Sequence, residues 1–125
     1  MKILIVDDIK GWQEYHFQIL KNFYPNAEYH FADSARVGYN KLLENDDVPF
    51  DIILTDMQME SDFEPKYAGE WFIEQIKSFK SYISTRIIII SAAYNIANIA
   101  EFYGVNYLRK STARNFPDSY KSFFE

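Results

Sequence analysis

The chain has no cysteine, which excludes disulfides, thiolate metal sites and thiol nucleophiles at once. Glycine and proline number four each in 125 residues, and no stretch rich in either marks a linker, a repeat or a low-complexity segment. Long apolar runs are missing too: the longest aliphatic run, Ile87 to Ile90, falls far short of the roughly 20 residues that span a bilayer. Only four apolar residues separate Met1-Lys2 from an aspartate pair, too few for the apolar segment of a signal peptide. A cytoplasmic protein without a membrane partner is therefore expected. Basic residues are outnumbered, 13 against 18 acidic, for a formal net charge of -5. Direct nucleic-acid binding is not expected, since it needs clustered Lys and Arg to replace counterions.

The rest of the composition fits one soluble domain. Hydrophobic residues make up 48% and charged residues 25%, and the length suffices for a core. Phe 11, Tyr 10 and Trp 2 give an excess of rings, which serve either the core or a partner surface.

The apolar residues follow two rhythms. Short aliphatic runs read as strands: Ile3 to Val6, Tyr29 to Phe31, Phe50 to Thr55, Arg86 to Ile90 and Val105 to Arg109. Between them lie helical faces: Trp12, Tyr15, Ile19 and Phe23 before Pro25; Ala35, Tyr39, Leu42 and Leu43, with Asp33 or Ser34 as N-cap; Phe72, Ile76 and Phe79; Ile96, Ile99, Ala100 and Tyr103, stopped by Gly104. Ala113, Phe116, Tyr120 and Phe123 make a last helical face, with Pro117 near its start. Alternating strands and helices predict a parallel sheet covered on both faces. The expected class is α/β, a flavodoxin-like (βα)5 doubly wound fold with a five-stranded parallel sheet in the order 2-1-3-4-5. The more polar second strand suits an edge.

That order gives four strand ends a common address. The first strand runs into Asp7-Asp8, the third into Asp56, the fourth into Ser91 and the fifth into Lys110. Ligands of such sheets bind at the carboxyl edge, where the strand order reverses. Three neighbouring carboxylates repel unless a cation intervenes, and a hard divalent ion such as Mg²⁺ or Mn²⁺ takes oxygen ligands of this kind. Lys110 offers a compact charge for a phosphoryl group and Ser91 a hydroxyl donor. Asp56, ending the central strand, is the candidate nucleophile. Taken singly, Asp7-Asp8 would cap the first helix, Ser91 the fourth, and Lys110 would be a solvated lysine. Four strand ends together point to phosphoryl chemistry. His16 and His30 have no second ligand at metal-binding spacing and read as surface or partly buried residues. Gly38 reads as a close-packing position, and Trp12 and Trp71 as core or rim.

On these motifs the chain resembles the receiver domain of a two-component response regulator over essentially its whole length. They are Ile3-Leu4-Ile5-Val6-Asp7-Asp8, Asp56 with Met59, Ser91-Ala92, and Tyr107 three residues before Lys110. The resemblance implies one receiver domain spanning 1–125, standing alone with no output domain, and a signalling protein rather than an enzyme. It would catalyse only its own phosphorylation and dephosphorylation. Asp56 would be the phosphoacceptor. Asp8 would be the direct Mg²⁺ carboxylate, Asp7 would act through metal-bound water, and Gln58 would lend its backbone carbonyl. Ser91 and Lys110 would bind the phosphoryl group, and Ser91 with Tyr107 would form the switch. Implied partners are a sensor histidine kinase or histidine phosphotransfer protein and a downstream effector, with the chain a monomer or a phosphorylation-linked dimer.

Two features depart from the family pattern. Glu60 stands where a proline is usual, and the matching glycine is Gly69, thirteen residues after Asp56. The loop from Glu60 to Tyr67 is thus about five residues longer than usual, as either a tolerated insertion or a partner-contacting segment. Ser111 replaces a proline after Lys110, which bears on the geometry following the fifth strand. A phosphorylation-independent pseudo-receiver, acting as a binding module, stays open as the alternative. Among enzymes of this fold, a flavodoxin is disfavoured because Asp7-Asp8-Ile9-Lys10 would repel its phosphate. A phosphatase of the Asp-x-Asp type is disfavoured by Gln58 at the second carboxylate's place.

Overall fold

In the computed structural model, which describes residues 1–59 and 68–123, five strands form one parallel sheet in the order β2-β1-β3-β4-β5. They are β1 (Lys2–Val6), β2 (Glu28–Ala32), β3 (Ile52–Thr55), β4 (Arg86–Ser91) and β5 (Asn106–Arg109). The helices are α1 (Lys10–Phe23), α2 (Ala35–Glu44), α3 (Ala68–Ser78), α4 (Ile96–Tyr103) and α5 (Lys110–Asn115), with 3-10 turns at Lys80–Tyr82 and Pro117–Phe123. The expected flavodoxin-like fold and strand order are those observed, and β2 is an edge strand. The long loop from Glu60 to Tyr67 lies outside the described residues.

Strand pleating divides the aliphatic residues between two cores, because successive side chains point to opposite faces. Leu4, Val6, Ile53, Ile87 and Ile89 share one core with Leu42 of α2, Phe72, Ile73 and Ile76 of α3, and Ile96 and Ala100 of α4. Ile3, Ile5, Ile52, Leu54, Ile88 and Ile90 share the other with Leu20 of α1, Ala113 of α5 and Tyr120. Each fully buried aliphatic side chain contributes about 1.5–3 kcal/mol. β1, β3 and β4 feed both cores, so their runs are apolar without alternation.

Local chemistry sets the helix ends. Ser34 caps α2, its hydroxyl accepting from the Val37 amide at 3.1 Å. Gly104 closes α4 with φ 67°, the left-handed conformation that glycine adopts at least cost. Gly38 packs α2 on α3: a Cβ there would lie 2.9 Å from the Phe72 ring.

The last expected helix is two elements. α5 ends at Asn115, Phe116 leaves the helical region (φ -134°, ψ 78°), and a 3-10 turn starts at Pro117. A residue before proline is pushed out of the helical region, so Pro117 breaks the run rather than delaying its start. Ala113 and Tyr120 are buried as expected, but Phe116 is exposed. Leu43 also turns outward on α2, and Phe79 falls just beyond α3 while packing against the first core. Ser111 causes no irregular loop: Arg109 is extended, and α5 begins at the next residue.

Candidate functional site

Register delivers the site. Val6 pairs with Thr55, and the Asp56 amide donates to the Val6 carbonyl at 2.9 Å, which sets Asp7 and Asp56 side by side beyond the strand ends. Thr55 pairs with Ile89 and Ser91 with Arg109, so Ser91 and Lys110 arrive at the same edge. One oxygen from each of Asp7, Asp8 and Asp56 lies within 4.8 Å of the others.

Lys110 bridges two of these acids. Its Nζ lies 3.0 Å from Asp7 Oδ2 and 3.0 Å from Asp56 Oδ2, although the side chain is only 8% exposed. The same ammonium sits 5.0 Å from the centre of the Trp12 ring, a cation–π contact on its apolar side. Trp12 thus belongs to the rim of this site.

Backbone amides fix the carboxylates. Asp7 Oδ1 accepts from Ile9 at 2.9 Å, and Asp56 Oδ1 accepts from Met57 at 2.7 Å, with Gln58 farther away at 3.4 Å. The floor beneath Asp56 is Gly69 of α3, whose amide donates to the Met57 carbonyl at 3.0 Å. A Cβ on Gly69 would stand 2.2 Å from the Asp56 carbonyl oxygen and 2.7 Å from Met57 Cα. No side chain fits there, which is why glycine is required.

The two buried aspartates diverge in acidity. Burial pushes the Asp56 carboxyl above its ordinary value, outweighing Lys110 and the Ser91 hydroxyl. Burial also opposes ionisation of Asp7, but His16, the Ile9 amide and Lys110 together hold its carboxyl below the usual range.

The other expected residues differ in placement. Ser91 is fully buried at the end of β4, with its hydroxyl accepting from the Ala93 amide at 3.1 Å. Gln58 has an exposed side chain. Tyr107 is not gathered into the cluster: its ring is 40% exposed on β5, with the Arg109 guanidinium 6.0 Å from its centre. His16 corrects the sequence reading. It is neither at the surface nor partly exposed but 2% exposed, with Nδ1 2.7 Å from the Tyr120 hydroxyl and Nε2 3.9 Å from Asp7 Oδ2. Its partners lie nine and 104 residues away, so no local spacing announces it.

The donor set suits a hard divalent ion. Three carboxylates against one ammonium leave two negative charges, and the 4.8 Å spread is close to the roughly 4 Å between opposite oxygens around Mg²⁺ at 2.0–2.1 Å per bond. Asp7 Oδ2, moreover, is buried and, beside its ion pair with Lys110, accepts no hydrogen bond among the described residues, which leaves it able to take a further ligand.

No protein-family model matches the sequence, and no curated protein matches it. Solved structures do match, and those found are mostly receiver domains of response regulators. A response regulator receiver domain protein from Clostridium thermocellum is 28% identical, with a TM-score of 0.68 over 87% of this chain and 81% of that one. The N-terminal domain of an uncharacterized protein from Wolinella succinogenes is 27% identical, with a TM-score of 0.72 over 98% and 93%. The chemotaxis response regulator CheY4 of Vibrio cholerae is 20% identical, with a TM-score of 0.71 over 87% and 85%. The solved structures found are mostly of the kind of domain that the sequence motifs resemble.

Proposed function

With the fold and the strand-end motifs of a response-regulator receiver as premise, we propose that this chain accepts a phosphoryl group on Asp56 from a phosphohistidine donor and thereby switches a partner-binding face. The observation that supports this most is the Lys110 ammonium held 3.0 Å from both Asp7 and Asp56. A positive charge there suits the negative oxygens that a phosphoryl group on Asp56 would carry.

In the transfer, the N–P bond of phosphohistidine breaks with its electron pair returning to the imidazole, and an O–P bond to the Asp56 carboxylate forms. In the second step, water oxygen bonds to phosphorus, the acyl O–P bond breaks with its electron pair returning to the carboxylate, and inorganic phosphate leaves carrying the protons of that water. The Met57 amide on Oδ1 keeps the carboxylate from rotating away from the donor. Lys110 then exchanges a carboxylate partner for a phosphoryl oxygen, and Ser91 donates to another. Mg²⁺ or Mn²⁺ held by Asp7, Asp8, Asp56 and the Gln58 carbonyl would neutralise charge on the phosphoryl group in transfer.

Ser91 turning toward the phosphoryl group, with the 40% exposed Tyr107 ring turning inward, would be the switch. The face that responds is formed by α4 and β5, where Phe102 and Tyr107 are exposed. Acting through a downstream effector, the chain would be a signalling protein and not a turnover enzyme, and no helix of the described residues is long and apolar enough to cross a membrane.

The test is intact mass after incubation with Mg²⁺ and acetyl phosphate. One phosphoryl adduct on the wild type and none on Asp56→Asn is expected. No adduct on the wild type, or the same adduct on Asp56→Asn, removes the proposal in favour of a phosphorylation-independent binding module.

A further inference from the structure

Under the acidic cluster lies a buried ring that the proposed reaction does not use. His16 faces the sheet from α1, 2% exposed. Its Nδ1 is 2.7 Å from the Tyr120 hydroxyl, and its Nε2 is 3.9 Å from Asp7 Oδ2. That oxygen accepts no hydrogen bond among the described residues, despite the Lys110 ammonium 3.0 Å away.

The two contacts of the ring are linked through its proton. A neutral imidazole carries one N–H. On Nδ1, it would donate to Tyr120 and turn the Nε2 lone pair toward a buried carboxylate, two acceptors with no donor between them. On Nε2, the Tyr120 hydroxyl donates to Nδ1 and the remaining N–H faces Asp7. A protonated ring also carries N–H on Nε2, so both arrangements free of that clash aim a donor at Asp7. Trp12, 5.5 Å away between ring centres, and Tyr120 hold the ring in place.

We infer that His16 is a positioning residue: Tyr120 fixes its ring with N–H on Nε2, and that N–H holds Asp7 when Lys110 leaves it for a phosphoryl group. The inference rests on the phosphoacceptor reading above. The 3.9 Å separation exceeds a hydrogen bond, in keeping with a carboxylate now drawn toward Lys110. Asp7 Oδ1 keeps the Ile9 amide, but once the ammonium departs a buried Oδ2 without a donor would be costly, and His16 is the donor aimed at it. His16 touches no reacting atom and acts through Asp7, as outer residues orient metal-binding carboxylates.

Two measurements on the whole chain test this. Long-range ¹H–¹⁵N spectra of the metal-free protein should show the His16 proton on Nε2 and a bare Nδ1; the opposite tautomer overturns the inference. In calorimetric titration with Mg²⁺, His16→Leu should weaken binding about tenfold, whereas His16→Gln, which keeps a donor, should stay within about threefold of wild type. Wild-type affinity in a folded His16→Leu overturns it. If that variant does not fold, Tyr120→Phe decides, since it keeps the ring and removes the group that fixes it. Mixed His16 tautomers with weakened Mg²⁺ binding support the inference, and one Nε2–H tautomer with unchanged binding refutes the role of Tyr120. A wild type that neither binds Mg²⁺ nor takes phosphate sinks the phosphoacceptor reading instead, a result distinct from all of these.

Discussion

At the scale of single residues, Lys110 is the group on which the resting site depends. It is 7% exposed and stands between two aspartates that are 1% and 4% exposed. Removing one partner of such a buried assembly leaves uncompensated charge. Lys110→Met should therefore lose about 3 kcal/mol of unfolding free energy in metal-free buffer, read from urea denaturation, and Mg²⁺ should restore more stability to the variant than it adds to the wild type. The aspartates also predict an order of protonation. Asp56 is raised in the fold, so its contribution is greatest below the ordinary carboxylate range and is lost as pH rises through its folded pKa. Asp7 is lowered, so its contribution is present above that range and is lost as pH falls through its folded pKa. On acidification without metal, Asp56 should take a proton first and Asp7 last. Carboxyl ¹³C titration reads this directly, and the reverse order would refute the account.

At the scale of elements, two glycines with different duties make a paired prediction. Gly69 joins α3 to the end of β3 at backbone contact, and its missing Cβ would stand 2.2 Å from a carbonyl oxygen. Gly104 stands at φ 67° with nothing within 4 Å of its missing Cβ. Gly69→Ala must push α3 off the Asp56 turn, costing about 1–3 kcal/mol as overpacking does, and on the proposed function it should slow phosphorylation by acetyl phosphate. Gly104→Ala should cost about 1 kcal/mol through its backbone conformation and leave the phosphorylation rate unchanged. Equal rates in the two variants would show that α3 does not support the site. Elements were legible where a single rhythm governed them, as in α1 before Pro25 or α4 before Gly104. The last helix was not. Ala113, Tyr120 and Phe123 keep a helical spacing across a break, because α5 and the following 3-10 turn press them onto one core.

At the scale of the molecule, the sheet gathers residues up to 103 positions apart in sequence, Asp7 and Lys110, onto one edge. This convergence could be read beforehand because the polar residues stand where strand-like runs end, and because alternation with right-handed crossovers points to the doubly wound order. His16 could not be read, since a histidine on an apolar helical face carries no mark of what lies opposite until α1 and the C-terminal turn meet. The charge excess at the edge also predicts that the whole fold responds to metal. Mg²⁺ at about ten times its dissociation constant should raise unfolding free energy by about 1.4 kcal/mol, and Asp8→Ala should abolish the gain in a thermal melt.

Trp12, set 5.0 Å from the Lys110 ammonium and 5.2 Å from the Arg114 guanidinium, gives the chain an optical gauge of its own state. The other indole, Trp71, packs against the opposite core and supplies a steady background. Emission from Trp12 would follow the departure of the ammonium in real time, without label or partner. A stopped-flow trace on the unmodified protein would time the switch itself.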